Sequence, residues 1–188
     1  MKTKDIISEL KKDSLDAGIL ATPLNEKGIR ERQLYYEAFY FYGHPDHPLL
    51  KKKMVSPSEV TSQDVWLLED GHCFKNQMTD ICALEHKGGV YQNIIFEGGN
   101  LETLRYLVKE GKGFTLVPHL FAQNLSDAER KSMIRPFKSP VPSREVSLVF
   151  SREQWKTDII KALQAVVEAN LPEGLSPKLK KNHSVIPV

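Results

Sequence analysis

The chain has 188 residues, with 26 Lys and Arg against 24 Asp and Glu, a net charge of +2. That balance is too mild to argue for nucleic-acid binding by itself, no apolar run approaches the ~20 residues of a membrane helix, and no signal-peptide pattern precedes the first predicted helix. Two cysteines are too few for a disulfide framework, so the composition points to a cytoplasmic protein with reduced thiols, one domain or two small lobes in size.

Ile6, Ile7 and Leu10 fall at helical spacing and predict a helix over residues 3–12. Leu15 to Ala21 reads as a short buried strand ended by Thr22-Pro23, and helix then strand is half of an α/β unit. Gln33 to Tyr42, with Tyr35, Tyr36, Phe39, Tyr40, Phe41 and Tyr42, reads as one long strand. No basic residues interleave this aromatic stripe, so it reads as sheet core rather than a base-stacking surface. His44 and His47 in the proline-broken loop that follows read as solvated turn residues, and Lys51-Lys52-Lys53 as a solvated face. Ser56-Pro57-Ser58-Glu59 opens a short helix with a cap, a proline at the first position and a capping box. Val65 to Leu68 is the next predicted strand.

That strand leads into Leu67-Leu68-Glu69-Asp70-Gly71-His72-Cys73, with Cys82 nine residues further on. Phe74 to Leu84 is helix-patterned. At the start of such a helix, backbone N–H groups and the helix dipole favour a thiolate at Cys73, and a thiolate is both the nucleophile and the oxidisable form. His72 beside it can accept or donate a proton. Nine residues of helix rise about 13.5 Å and leave the two side chains on opposite faces, whereas a disulfide needs Cα atoms roughly 4.4–6.8 Å apart. A helical segment cannot bridge Cys73 to Cys82, and a bridged segment cannot stay helical. Two incompatible structures in one segment make a switch. On the residues alone, alternatives stay open: an inert pair of cysteines, a zinc site from His72, Cys73, Cys82 and His86, or a peroxidatic enzyme with a recycling partner.

Beyond the cysteines, Val90 to Phe96 reads as a strand, and Asn100 caps a helix with Leu101, Leu104, Leu107 and Val108 on one face. Gly111 and Gly113 end it, and Phe114 to Pro118 is a strand, completing a βαβ unit. His119 at its end reads as structural. Pro136, Pro140 and Pro142 make residues 136–143 a stiff extended linker, followed by a strand from Arg144 to Phe150. Ser151-x-x-Gln154 is a capping box opening a long helix that buries Trp155, Ile159, Ile160, Leu163, Val166 and Val167. Leu175 to Val188 reads as lying outside any core. The aromatic strand and the proline linker are two crossings, so the expected lobes are discontinuous. Residues 1–36 plus 140–175 form an incomplete lobe I, residues 37–139 form lobe II with the cysteines, and residues 176–188 are a tail. Clefts between such lobes bind ligands, and Arg144 faces this crossing.

Leu68-Glu69-Asp70-Gly71-His72-Cys73 with Gln77 and Cys82, together with Asn100–Arg105, Gly113–Pro118 and Pro142–Phe150, resembles the regulatory domain of hydrogen-peroxide-sensing LysR-type transcriptional regulators. The likeness runs from about Thr3 to Leu171. It implies an α/β fold, a two-lobed periplasmic-binding-protein-like effector domain with two crossover strands, with no cofactor and no enzymatic turnover. It implies that peroxide oxidises Cys73 to a sulfenic acid that condenses with Cys82. Thr3, His72 and Arg144 match residues of the peroxide pocket, with Arg144 placed to stabilise the thiolate. The implied partners are hydrogen peroxide and further copies of the chain, as a homodimer or tetramer. DNA and RNA polymerase are engaged only through the full-length protein, and no membrane is involved.

Two departures bear on this resemblance. The winged helix-turn-helix and the opening strand–helix–strand of lobe I, with a second pocket threonine, are not in the chain, so lobe I is expected to expose core-type surface. Lys75-Asn76 stands where family members commonly carry an arginine–aspartate pair. The competing readings are an effector domain of the same family whose cleft binds a small organic ligand, with unreactive cysteines, and a thiol peroxidase.

Overall fold

The computed structural model describes residues 1–60, 65–68, 73–81, 100–151 and 157–188, with residues 73, 74 and 157 by backbone alone. Helix α1 (Thr3–Lys11) leads to strands β1 (Gly18–Thr22) and β2 (Arg30–Gly43). Helices α2 (Cys73–Ile81) and α3 (Leu101–Glu110) follow, then β3 (Phe114–Pro118), α4 (His119–Gln123), α5 (Asp127–Met133) and β4 (Ile134–Pro136). Strand β5 (Val141–Phe150), helix α6 (Thr157–Ala169) and strand β6 (His183–Val185) complete the order.

The aromatic strand organises the fold. From Arg30 to Ala38, β2 runs antiparallel to β5, and β1 adds to the other edge of β5. From Phe39 to Gly43 the same strand pairs with β3, and Tyr40–Tyr42 also pair with β4. One strand therefore belongs to two lobes. Side chains alternate across a strand, and the second half of β2 shows what that does when both faces are covered. Phe39 and Phe41 enter one core with Leu50, Met78, Leu104 and Phe114. Tyr42 enters another with Val108, Val117 and Met133. Gly43 must lack a side chain, because a Cβ there would sit 2.6 Å from the Phe41 ring. The first half of β2 contributes Leu34 and Tyr35 to the lobe I core, with Val146, Leu148, Phe150 and Ile160. Val141 packs against the lobe II core, so β5 is a second strand that starts at one lobe and ends in the other.

Asn100 caps α3 as expected, its side-chain oxygen accepting from the Thr103 N–H at 2.9 Å. Elsewhere the structure corrects the sequence reading. At the Ser56 capping box the Glu59 carboxylate accepts from the Ser56 N–H at 2.8 Å, but the box opens only one 3-10 turn, Pro57–Glu59. Val65 makes an isolated parallel bridge to Phe114 rather than opening a regular strand. The expected proline linker is shorter, since Pro136 ends β4 and Pro142 lies inside β5. His47 is not a solvated turn residue: it caps a 3-10 turn and packs its ring on Phe41 and Phe114. On α6, Ile160 is buried and Val167 packs on the lobe I core, whereas Ile159, Leu163 and Val166 are 66%, 39% and 59% exposed. Strand β1 is half-exposed rather than buried. The tail is not outside the core, because β6 pairs with β5 and Ile186 packs on the lobe II core. The predicted strand over Val90–Phe96, Trp155 and Gln154 lie outside the described residues.

Candidate functional site

Helix α2 begins at Cys73. Its buried face is Gln77, Met78, Thr79 and Ile81, while Asn76 and Asp80 face solvent. Met78 and Ile81 belong to the same core as Phe39 and Leu104, which fixes the helix on the lobe II sheet. The Thr79 hydroxyl donates to the Lys75 carbonyl one turn back at 2.9 Å, an i−4 bond that slightly weakens helices. A nine-residue helix is marginal alone, so tertiary contacts hold this one. Its N-terminus sets the Cys73 backbone at the positive end of the helix dipole, which favours an anion.

The backbone of α2 decides one geometric question. Helix runs unbroken from Cys73 to Ile81, and eight steps of 1.5 Å separate those Cα atoms by about 12 Å. The next Cα is only about 3.8 Å further along the chain, so it stays more than about 8 Å from that of Cys73. A disulfide tolerates roughly 4.4–6.8 Å. With α2 intact, Cys73 cannot bridge to the residue that follows Ile81, which is Cys82.

Of the other expected pocket residues, Thr3 opens α1 and Arg144 lies on β5. His72 and Cys82, with the acidic turn at 69–70 and the zinc alternative's His86, lie outside the described residues. Arg144 stands where β2 and β5 pair, in register with Glu37. Its Nε donates to Glu37 Oε2 at 2.8 Å, and its Nη2 lies 2.7 Å from the same oxygen. Glu37 Oε1 accepts the backbone N–H of Leu120, in α4, at 2.7 Å. Glu37 is fully buried. The sequence reading missed this carboxylate, because one acid among Tyr35, Tyr36 and Phe39 in an alternating strand looks like its polar face.

Gln77 was part of the motif, but its role was not legible. Its side chain is fully buried, and Nε2 donates to the Ile186 carbonyl at 2.9 Å. Its Oε1 has no partner among the described residues. His119 is structural as expected: Nδ1 lies 3.1 Å from the Tyr40 hydroxyl and Nε2 lies 2.8 Å from the Glu173 carbonyl. A cavity of about 210 Å³ lies beside the crossing, lined by Ala38, Phe39 and Val141 from the crossing strands and by Gly174, Lys180 and His183 from the tail. Burial and then the Lys180 charge hold His183 below its ordinary pKa.

Residues 1–172 match the LysR substrate binding domain family. The chain is 28% identical to a probable hydrogen peroxide-inducible genes activator of Mycobacterium avium, over 88% of this chain and 52% of that protein. It is 30% identical to the hydrogen peroxide-inducible genes activator of Haemophilus influenzae, over 79% and 48%. The chain thus spans about half the length of the curated relatives it matches. Among solved structures it superposes on OxyR from Porphyromonas gingivalis with a TM-score of 0.85 and 28% identity, covering 99% of this chain and 83% of that one. On a reduced form of OxyR from N. meningitidis the TM-score is 0.81 at 27% identity, covering 93% and 81%. The architecture is the expected α/β one, two-lobed and periplasmic-binding-protein-like.

Proposed function

The chain belongs to the LysR substrate-binding domain family, and from that premise we propose that it is the redox-sensing regulatory domain of a LysR-type transcription factor that responds to hydrogen peroxide. The names of its relatives, hydrogen peroxide-inducible genes activators and OxyR, support this reading. The single observation that carries it is the helix from Cys73 to Ile81, which is incompatible with a Cys73–Cys82 bridge and gives oxidation something to change.

The chemistry is stoichiometric. The Cys73 thiolate sulfur attacks one peroxide oxygen and the O–O bond breaks. Sulfur loses two electrons to become a sulfenic acid, and the departing hydroxide takes a proton to leave as water. The Cys82 thiolate then attacks that sulfur, the S–S bond forms, and the sulfenic oxygen leaves as a second water. His72 supplies or accepts the protons. Thr3 holds peroxide by its hydroxyl, and Arg144 faces the developing charge. Its two contacts to Glu37 fix its orientation. Bridging unwinds α2, and that change, passed through a homodimer or tetramer, alters how the full-length protein engages DNA and RNA polymerase in the cytoplasm. The exposed row Ile159, Leu163 and Val166 supports self-association, since contiguous apolar surface marks interaction sites.

The test is to add one equivalent of peroxide to the reduced protein and map its thiols by mass spectrometry. A Cys73–Cys82 disulfide is expected, and Cys73→Ser abolishes it. No bridge, with a peroxide rate no faster than free cysteine, overturns the proposal. Sustained turnover with a thiol reductant makes the protein a peroxidase instead.

A further inference from the structure

We propose that the C-terminal segment is a latch on α2. Strand β6 and Ile186 hold the helix in its unbridged state through the side chain of Gln77, and the helix unwinds for the disulfide only when this latch opens. The inference rests on the redox function proposed above.

The course of the segment is the first support. After the left-handed turn at Gly174 (φ +93°), the Ser176 carbonyl accepts the Tyr36 N–H of β2 at 2.8 Å. The chain then pairs parallel with the start of β5, from Val141↔His183 to Ser143↔Val185. Val141 donates to Asn182, and Ile186 donates to Ser143, each at 2.8 Å. His183 Nδ1 lies 2.7 Å from the Ser143 hydroxyl. The segment is therefore anchored on a strand shared by the two lobes. Immediately past that anchor, Ile186 packs on the core that contains Met78 and Ile81, and its carbonyl accepts from Gln77. Backbone and side-chain bonds thus run from β5, through three residues of β6, to the redox helix. Residues 173–188 lie past the span matched by the family, so the latch is not part of what that match describes.

The position and satisfaction of Gln77 are the second support. It lies four residues after Cys73, one helical turn on, so unwinding that begins at Cys73 reaches it early. Its amide orientation is fixed by chemistry: only the nitrogen can face the Ile186 carbonyl, because two oxygens would repel. That leaves Oε1 buried without a partner among the described residues. An unsatisfied buried acceptor offsets much of what one hydrogen bond gains. The Gln77 side chain thus adds a small net hold to a short helix. Ile186 is the apolar residue packed on that core and the acceptor at once, so the two contributions are lost together.

The test uses the 188-residue chain, reduced and then treated with one equivalent of peroxide, with the Cys73–Cys82 bridge confirmed by mass spectrometry. Amide hydrogen exchange reads the latch. On bridging, the Ile186 amide exchanges roughly tenfold faster or more, while Leu148 and Val149 in the β1–β5 ladder are unchanged. Two variants read the kinetics. Ile186→Pro removes the N–H bond to Ser143 and displaces the carbonyl. Gln77→Ala removes the donor, and because alanine is the better helix former, a mere loss of helix propensity cannot explain faster bridging. Each variant speeds conversion of the sulfenic acid to the disulfide by about three- to tenfold, while the rate of sulfenic acid formation, trapped with dimedone, stays the same. If circular dichroism shows Ile186→Pro to be unfolded, Gln77→Ala alone decides. A bridge that forms with the Ile186 amide unchanged and wild-type resolution rates in the folded variants overturns the latch. No bridge in the wild type overturns the functional reading instead.

Discussion

Arg144 meets Glu37 where β2 and β5 cross, and Arg105 meets Glu129 inside the lobe that carries α2. Both glutamates are buried, at 0% and 7% exposure, and each meets two nitrogens of an arginine and one further donor, but the donors differ. Arg105 uses Nε and Nη2 on separate oxygens of Glu129, each at 2.7 Å, and the Tyr42 hydroxyl donates to Oε1 at 2.6 Å. That network joins α3, α5 and β2 by side chains alone, within one core. Arg144 places Nε and Nη2 on the same oxygen of Glu37, leaving Oε1 for the backbone N–H of Leu120. That second network ties the start of α4 to both crossing strands. The pair inside the lobe is a lock, and the pair at the crossing is a junction.

The largest expected effect separates these roles. Glu37→Ala takes the Glu37 carboxylate away from the Arg144 guanidinium and from the Leu120 N–H. Losing the charge-assisted contact to Arg144, whose side chain is 22% exposed, and leaving the Leu120 N–H without its acceptor costs about 3 kcal/mol, measured by urea unfolding. The junction also predicts where the damage spreads: the amides of His119–Gln123 lose protection from exchange while those of α3 keep theirs. The double variant Glu37→Leu with Arg144→Met should recover most of the stability, since apolar replacement of a buried pair is often neutral. If Glu37→Ala costs no more than Arg105→Met and leaves α4 protected, the distinction between junction and lock fails.

Arg105→Met is expected to cost about 2 kcal/mol, the loss of charge-assisted hydrogen bonds. Its pH dependence is the sharper measurement. The Arg105 hydrogen bonds, helped by the Tyr42 hydroxyl and opposed by burial, hold the Glu129 carboxyl below its ordinary value of 4.5. With the folded pKa depressed, the unfolded chain takes up the proton first as pH falls. The stabilisation is complete above the ordinary carboxylate pKa and is lost as pH drops through the folded one. The stability gap between wild type and Arg105→Met should therefore be full at pH 7 and shrink steadily below about pH 4.5. A gap that does not change with pH would mean that Arg105 acts by packing rather than by its contact with Glu129.

The elements with strong periodicity or a cap were legible in the sequence: α1, the long β2, Asn100 capping α3, β3 and β5. What was not legible depended on a partner elsewhere in the chain. The apolar residues of α6 look like one buried stripe, but Ile160 and Val167 face the lobe I sheet while Ile159, Leu163 and Val166 lie on a neighbouring row that nothing in the chain covers among the described residues. His183-Ser184-Val185 has no periodic signal, because a three-residue strand is made by the edge of β5 that receives it. At the candidate site, the placement of Cys73 at a helix start and of Arg144 at the crossing could be read from pattern. Glu37 could not, because one acid in an alternating strand looks like its polar face. Gln77 could not either, because its partner is a backbone carbonyl 109 residues away, and a carbonyl leaves no mark on the sequence.

Tyr42→Phe gives the smallest effect and tests the last difference between the pairs. Burial first, and then the Glu129 carboxylate, push the Tyr42 hydroxyl far above its ordinary range, so it stays an O–H donor at any working pH. The substitution removes that donor and little else, at a cost of about 1 kcal/mol. Glu129 then keeps Arg105 but loses its third hydrogen bond. Its folded pKa moves up toward the ordinary value, which shifts the acid-induced loss of stability to higher pH. At the junction no side-chain truncation can do the same, since the third donor to Glu37 is the backbone of Leu120. A carboxyl resonance of Glu129 that titrates at the same pH in Tyr42→Phe and wild type would show that Arg105 alone sets the Glu129 carboxylate, and the side-chain lock would lose its third member.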